Sequence, residues 1–249
     1  MKRAFIRALW GEDDGDRYFG ARRTKMDADL ELLELNPHTN PFVFYTFGKE
    51  NHQYLIDNGW ESKLIWDEPY RHDYKKEGTH QYSMKLYAIQ EAMKDYNEVI
   101  LLDVDTTAIC KLPEGLWDDF SAKEPLQAIL RGYKLVKAHW RDTDRRKRPC
   151  ASLVYCRDKQ IADDMVKLWE DNPFYSEEDI LGWTMDIMSD GWKGINYYWN
   201  HYEPMCFDLK KEAYAIFPPE KLIQKDLIFK HFNKVKRGAY VRKLKRRRK

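Results

Sequence analysis

Residues 98–105 read Glu98-Val99-Ile100-Leu101-Leu102-Asp103-Val104-Asp105. Four consecutive apolar residues, Val99 to Leu102, run directly into two carboxylates separated by one residue. An unbroken apolar run is the pattern of a strand covered on both faces, the condition of the inner strands of a parallel sheet. Side chains alternate along a strand, so Asp103 and Asp105 project to the same side. Two carboxylates leaving a buried strand together are costly without a partner. A divalent cation that prefers oxygen ligands, magnesium or manganese, satisfies both. The competing reading is a strand that ends in a polar loop, with Asp105 as a turn or helix cap.

Upstream of this stretch, strand and helix patterns alternate. Lys2 to Trp10 reads as a strand closed by Gly11 and an acidic loop. Residues 24–35 fit an amphipathic helix that Asn36-Pro37 stops. Phe42 to Phe47 reads as a strand, 50–58 as a helix ended by Asn58-Gly59, and Ser62 to Trp66 as a third strand. Tyr82 to Asp95 is a helix with Leu86, Ile89 and Met93 on one stripe. Alternation of this kind predicts βαβ units, hence an α/β fold with a Rossmann-type, mostly parallel central sheet flanked by helices. Ligands of such sheets bind beyond the carboxyl ends of the strands. Trp10-Gly11 and Asp103–Asp105 both stand at carboxyl ends and so can face one crevice.

Downstream, Leu126 to Leu130 and Ala151 to Tyr155 read as strands. A helix near 158–171 carries Ile161, Met165 and Leu168 on one face and stops at Asn172-Pro173. A second helix, 176–189, opens with Ser176-Glu177-Glu178-Asp179, where Ser176 and Asp179 have capping-box spacing.

The 249 residues suffice for one full α/β core. We expect a single domain over 1–235 and a basic tail over 236–249. That tail carries nine Lys or Arg and no acid, so the remaining 34 basic and 41 acidic residues leave the body near −7. A basic end on an acidic body suits a polyanion, either nucleic acid or an anionic membrane surface, or is a solvated terminus. Arg141, Arg145, Arg146, Lys147 and Arg148, with Trp140 beside them, form a second basic cluster. Nine Trp and sixteen Tyr exceed ordinary use and suggest stacking surfaces besides the core. No apolar run reaches the ~18 residues of a spanning helix. Arg7 interrupts the only apolar stretch near the N-terminus, so no signal sequence is read and a cytoplasmic protein is expected. Cys110, Cys150, Cys156 and Cys206 lack metal or disulfide spacing and read as reduced.

The stretch from Tyr82 to Thr107 resembles the centre of a GT-A-fold, nucleotide-sugar-dependent glycosyltransferase. It is most similar to the family 8 type that includes glycogenin and bacterial galactosyltransferases. There a helix with a basic residue, here Lys85, leads to a strand ending in Asp-x-Asp. Ser152-Leu153-Val154-Tyr155, a helix, and then Glu178-Asp179-Ile180-Leu181 resemble the segment lining the donor-sugar pocket. Phe229-Lys230-His231-Phe232 resembles the His-Phe element whose histidine completes the metal site. Cys150-Ala151-Ser152 stands where the family has Asn-Ala-Gly, and Asn233-Lys234-Val235-Lys236 replaces its Gly-x-x-Lys-Pro.

The resemblance implies a manganese or magnesium ion held by Asp103, Asp105 and His231, with Asp103 alternatively on the ribose hydroxyls. It implies a nucleoside-diphosphate sugar, a UDP-sugar foremost, contacted by Trp10, Gly11, Lys85, Asp103, Lys234 and Lys236. Glu178 and Asp179 are the candidate catalytic carboxylates, as base, nucleophile or stabiliser. Asp179 is equally a helix cap, Trp10 a core residue and His231 a surface histidine. The compact, Lys- and Tyr-rich chain resembles a bacteriophage enzyme, so the favoured acceptor is a hydroxymethylated base in phage DNA, reached through Arg141–Arg148 and the tail and flipped from a duplex. A glycan or protein is the rival acceptor. A nucleotidyl- or phosphoryl-transferase and a non-catalytic nucleic-acid-binding protein are the readings from other classes.

Overall fold

The computed structural model describes residues 1–10, 41–68, 80–103, 106–108, 115–122, 124–130, 149–173, 176–188, 213–214 and 229–231. Seven of its strands are β1 (Arg3–Leu9), β2 (Phe42–Phe47), β3 (Glu61–Trp66), β4 (Glu98–Leu102), β5 (Thr106–Ala108), β6 (Leu126–Leu130) and β7 (Pro149–Cys156). Two short ones, β8 (Ala213–Tyr214) and β9 (Phe229–His231), follow late in the chain. The helices are α1 (Lys49–Asp57), α2 (Met84–Ala92), α3 (Leu116–Ser121), α4 (Lys159–Asp171) and α5 (Glu177–Met188). A 3-10 turn, His80–Ser83, leads into α2.

Six strands form one sheet in the order β3-β2-β1-β4-β7-β6. The β3-β2, β2-β1 and β1-β4 pairs are parallel, and β7 runs antiparallel to both neighbours. The sheet is therefore mixed and mostly parallel, as the alternating patterns predict. β4 sits between β1 and β7, and all five of its residues are buried. That is why its sequence is an apolar run rather than an alternation.

Each face of the sheet has its own apolar layer. Ala4, Ile6 and Ala8 of β1 and Trp10 just after it join Val99 and Leu101 of β4 against the buried sides of α2, α4 and α5. On the other face Leu9 and Phe44 pack with Leu55 of α1 and with Trp60. There Phe5 stacks on Phe42 at 5.0 Å and meets Trp117 of α3 at 5.2 Å. Asp103 keeps the parity of Val99 and Leu101, which sends it toward the α2 face.

α2 is buried almost all round, so the stripe Leu86, Ile89 and Met93 is only part of its contact surface. α4 covers its outer side, where the Tyr87 hydroxyl donates to Glu170 at 2.8 Å and the Gln90 amide to Asp163 at 3.0 Å. α4 begins at Asp158, whose carboxylate accepts from the backbone N–H groups of Gln160 and Ile161 at 2.8 and 3.3 Å. This is an N-cap, and the sequence reading places Asp158 within the helix. Gly59 turns the chain after α1 with φ +78°, a conformation that side chains with a Cβ rarely adopt. Cys156 is buried with a free thiol, pushed up to about 12 by desolvation.

A second sheet, β5-β9-β8, is absent from the sequence reading. Its strands are two or three residues long, too short for any periodicity to register. The expected helix over 24–35, the tail 236–249 and the cluster Arg141–Arg148 lie outside the described residues. Among the described residues no helix is long and apolar enough to cross a membrane.

Candidate active site

β1 is the point from which the chain builds the sheet in both directions. β2 and β3 lie on one side of it and β4 on the other. The parallel register sets Ile6 beside Leu101, so Trp10 and Asp103 leave the sheet at the same end on adjacent strands. This is a topological switch point, where open α/β sheets form their ligand crevice.

At this switch point lies a largely buried ion cluster. Lys85, in the first turn of α2, is only 6% exposed. Its ammonium lies 2.5 Å from Asp103 Oδ1 and 3.6 Å from Glu177 Oε1, and donates to the Ala151 carbonyl at 3.5 Å. Three elements thus converge on one cation: the end of β4, the start of α5 and the β7 backbone. Burial of a lysine at such a place is tolerable only with charged partners this close. Glu177 and Glu178 are both buried in the first turn of α5, where the helix dipole favours negative charge. Even so, desolvation pushes the Glu177 carboxyl up to about 7, with Glu178 and Asp103 adding repulsion and the Lys85 ammonium opposing the rise.

Asp179 is engaged differently. Its carboxylate accepts from the Ser176 hydroxyl at 2.9 Å and from the Ser176 backbone N–H at 3.1 Å, while its own N–H donates to Ser176 Oγ at 3.3 Å. That is the reciprocal capping box its spacing suggests. Glu178 remains buried one residue earlier. Trp10 is buried at the end of β1, its ring edge-on to Tyr82 with centroids 5.9 Å apart.

The small sheet accounts for the late segment. β5 and β9 pair antiparallel with Thr106 opposite His231. The backbone of residue 231 therefore returns, more than a hundred positions downstream, beside the residue that follows Asp105. Asp105, Gly11, Lys234 and Lys236 lie outside the described residues. Among the described residues no three His, Cys, Asp or Glu side chains gather as a metal cluster. The donor set of Asp103, Asp105 and His231, oxygen-rich with one imidazole, fits magnesium or manganese in chemistry.

The sequence reading does not single out two residues of this site, Glu177 and Tyr82. For Glu177 the only signal is its place in an acidic first helical turn, which it shares with Glu178 and Asp179. For Tyr82 it is the i, i+3 relation to Lys85 at the start of a helix.

Fold and site together define an open α/β sheet with a charged cluster at its switch point. The chain matches no protein-family model and no curated protein sequence. Among solved structures, its fold is similar to the galactosyltransferase LgtC in complex with donor and acceptor sugar analogs (18% identity, TM-score 0.44, 72% of this chain and 69% of that one). It is similar also to a glycosyltransferase involved in glycosylation of the major capsid of PBCV-1 (13% identity, TM-score 0.47, 97% and 99%). A third is mouse xyloside xylosyltransferase 1 (10% identity, TM-score 0.43, 76% and 82%).

Proposed function

We propose that this chain is a metal-dependent glycosyltransferase that moves a sugar from a nucleoside-diphosphate sugar, a UDP-sugar foremost, to an acceptor hydroxyl. The observation that carries the reading is the buried Lys85–Asp103–Glu177 cluster at the switch point, beside Trp10. A nucleotide sugar brings a diphosphate, hydroxyls and an aromatic base, and the crevice offers a cation, carboxylates and aromatic rings. Asp103, Asp105 and His231 would hold manganese or magnesium, which supplies Lewis-acid stabilisation of the leaving diphosphate. Lys85 contributes a fixed positive charge on the same side, worth more in a desolvated crevice than in water. Glu178, at the start of α5, is the carboxylate assigned to the anomeric centre, and Asp179 orders the helix that carries it. Trp10 walls the nucleotide side.

For the acceptor we propose a hydroxymethylated base in DNA. Residues 131–148 hold eight Lys or Arg against two Asp. Leu130 and Pro149, which flank them, pair with one another beyond the level where Leu102 meets Leu153, on the Asp103 side of the sheet. That supports a polyanion approaching the crevice mouth, with the basic tail adding reach. The segment itself and the tail lie outside the described residues.

The test is release of nucleoside diphosphate from a panel of nucleotide sugars with manganese, with and without hydroxymethylated DNA. Release from at least one donor and a rise in melting temperature with UDP plus manganese are expected. Neither, with any donor, overturns the glycosyltransferase reading; salt-sensitive DNA binding that survives Asp105→Asn would then favour a non-catalytic binding protein. Release indifferent to DNA removes the DNA acceptor and leaves the enzyme class. Deleting residues 241–249 is expected to weaken DNA binding at least about 10-fold at low salt while donor hydrolysis is unchanged. Equal affinity for the shortened chain would count against the tail.

A further inference from the structure

Tyr82 stands between the two halves of the crevice. Its ring meets Trp10 edge-on at an interplanar angle of 86°. The Lys85 ammonium lies over the same ring, 5.7 Å from its centroid. Trp10 directly follows β1, and Lys85 reaches Asp103, which directly follows β4, so one ring touches both sides of the switch point. An edge-to-face contact holds the ring's orientation, and the ring's negative face attracts the ammonium. Two of the cation's polar contacts are long, at 3.5 and 3.6 Å.

We propose that Tyr82 is a positioning residue for the donor: braced by Trp10, its ring holds the Lys85 ammonium where it meets the diphosphate of a nucleotide sugar. This rests on the nucleotide-sugar reading above. The role belongs to the aromatic face and not to the hydroxyl, which separates Tyr82→Phe from Tyr82→Leu. Phe keeps the ring; Leu fills part of the volume without a π face.

The experiment has two readouts on the full chain. The first is UDP affinity by calorimetry in saturating manganese. Tyr82→Phe is expected within about 3-fold of wild type, and Tyr82→Leu to bind about 5- to 30-fold more weakly, the range of a partly desolvated cation–π contact. With turnover, the loss falls on donor KM and kcat at saturation changes less. The second readout is NMR of lysine-labelled protein without nucleotide. The Lys85 side-chain methylene signals are expected upfield in wild type and Tyr82→Phe, and near their ordinary position in Tyr82→Leu.

Equal UDP affinity for Leu and wild type, a Phe variant as weak as Leu, or no upfield Lys85 signal in wild type would each overturn the proposal. Wild type that shows the upfield signal but binds no UDP fails the glycosyltransferase reading, and the donor role falls with it while the contact stands. If Tyr82→Leu does not fold, Tyr82→Met takes its place in both readouts.

Discussion

Lys85→Ala is expected to lower the free energy of unfolding by about 3–5 kcal/mol at pH 8, the cost of leaving buried charges without their partner. Lys85 is 6% exposed, and its ammonium stands 2.5 Å from Asp103 and 3.6 Å from Glu177. Truncation strands both carboxylates and opens a hole at the start of α2, where Tyr82 and Ala151 also lose a contact. The deficit should narrow at pH 5, because Glu177 then carries a proton and asks less of the missing cation. Urea unfolding at pH 8 and pH 5 measures both points. A loss below about 1 kcal/mol at pH 8 would mean that water or another cation already serves these carboxylates and that the cluster is not a buried unit. In the same variant, the nucleotide-sugar reading proposed above expects release of nucleoside diphosphate to fall at least about 100-fold, since on that reading a preorganised charge beside the leaving group is removed. Loss of stability with full activity would separate Lys85 from the chemistry.

The sheet was legible because its signals are long. Residues 98–105 announce a strand buried on both faces, and β4 is one. Phe42–Phe47 and Leu126–Leu130 fall where the β-rich runs place them. The helices are shifted by one to three residues, for reasons seen at their ends: Asp158 serves as a cap, and α2 is preceded by a 3-10 turn instead of starting at Tyr82. The direction of β7 was not legible. An antiparallel inner strand buried on both faces has the same composition as a parallel one, so only the path of the chain decides.

The site was legible where charge breaks an apolar pattern. Lys85 interrupts a helix that is otherwise buried, and Asp103 ends an apolar strand; each is conspicuous because burial makes it costly. Their mutual contact across 18 positions follows from the βαβ connection, in which the helix before a strand packs against its face. Glu177 was harder. Three adjacent acids at a helix start look alike in sequence, and their fates differ only through geometry. Asp179 turns back to Ser176, and Glu177 turns in to Lys85. The return of residues 229–231 beside 106–108 needed the tertiary fold, since short strands paired over so long a separation leave no local trace.

Glu177→Gln is expected to change how stability depends on pH. The folded carboxyl titrates near 7 against an ordinary value of 4.5, because burial disfavours its charged form more than Lys85 favours it. The native state therefore binds more protons than the unfolded chain between those two values, and the stability tied to this group is full below about 4.5 and is lost as pH rises to about 7. The size of the loss is on the order of 3 kcal/mol, from 1.36 kcal/mol for each unit of the shift. Gln has the shape of the protonated acid and does not titrate. Wild type and variant should thus be nearly equal below about pH 4.5, and the variant more stable at pH 8 by up to that amount. Parallel stability curves for the two proteins from pH 5 to 8 would sink the idea and place Glu177 in a hydrated setting. The sign separates two roles for this carboxylate. A residue retained for folding alone would be improved by Gln at the pH where the protein works. A residue that must offer a carboxylate to a hydroxyl-bearing donor should lose turnover in the variant that gains stability, and nucleoside diphosphate release measured beside the unfolding curves reads that opposition directly.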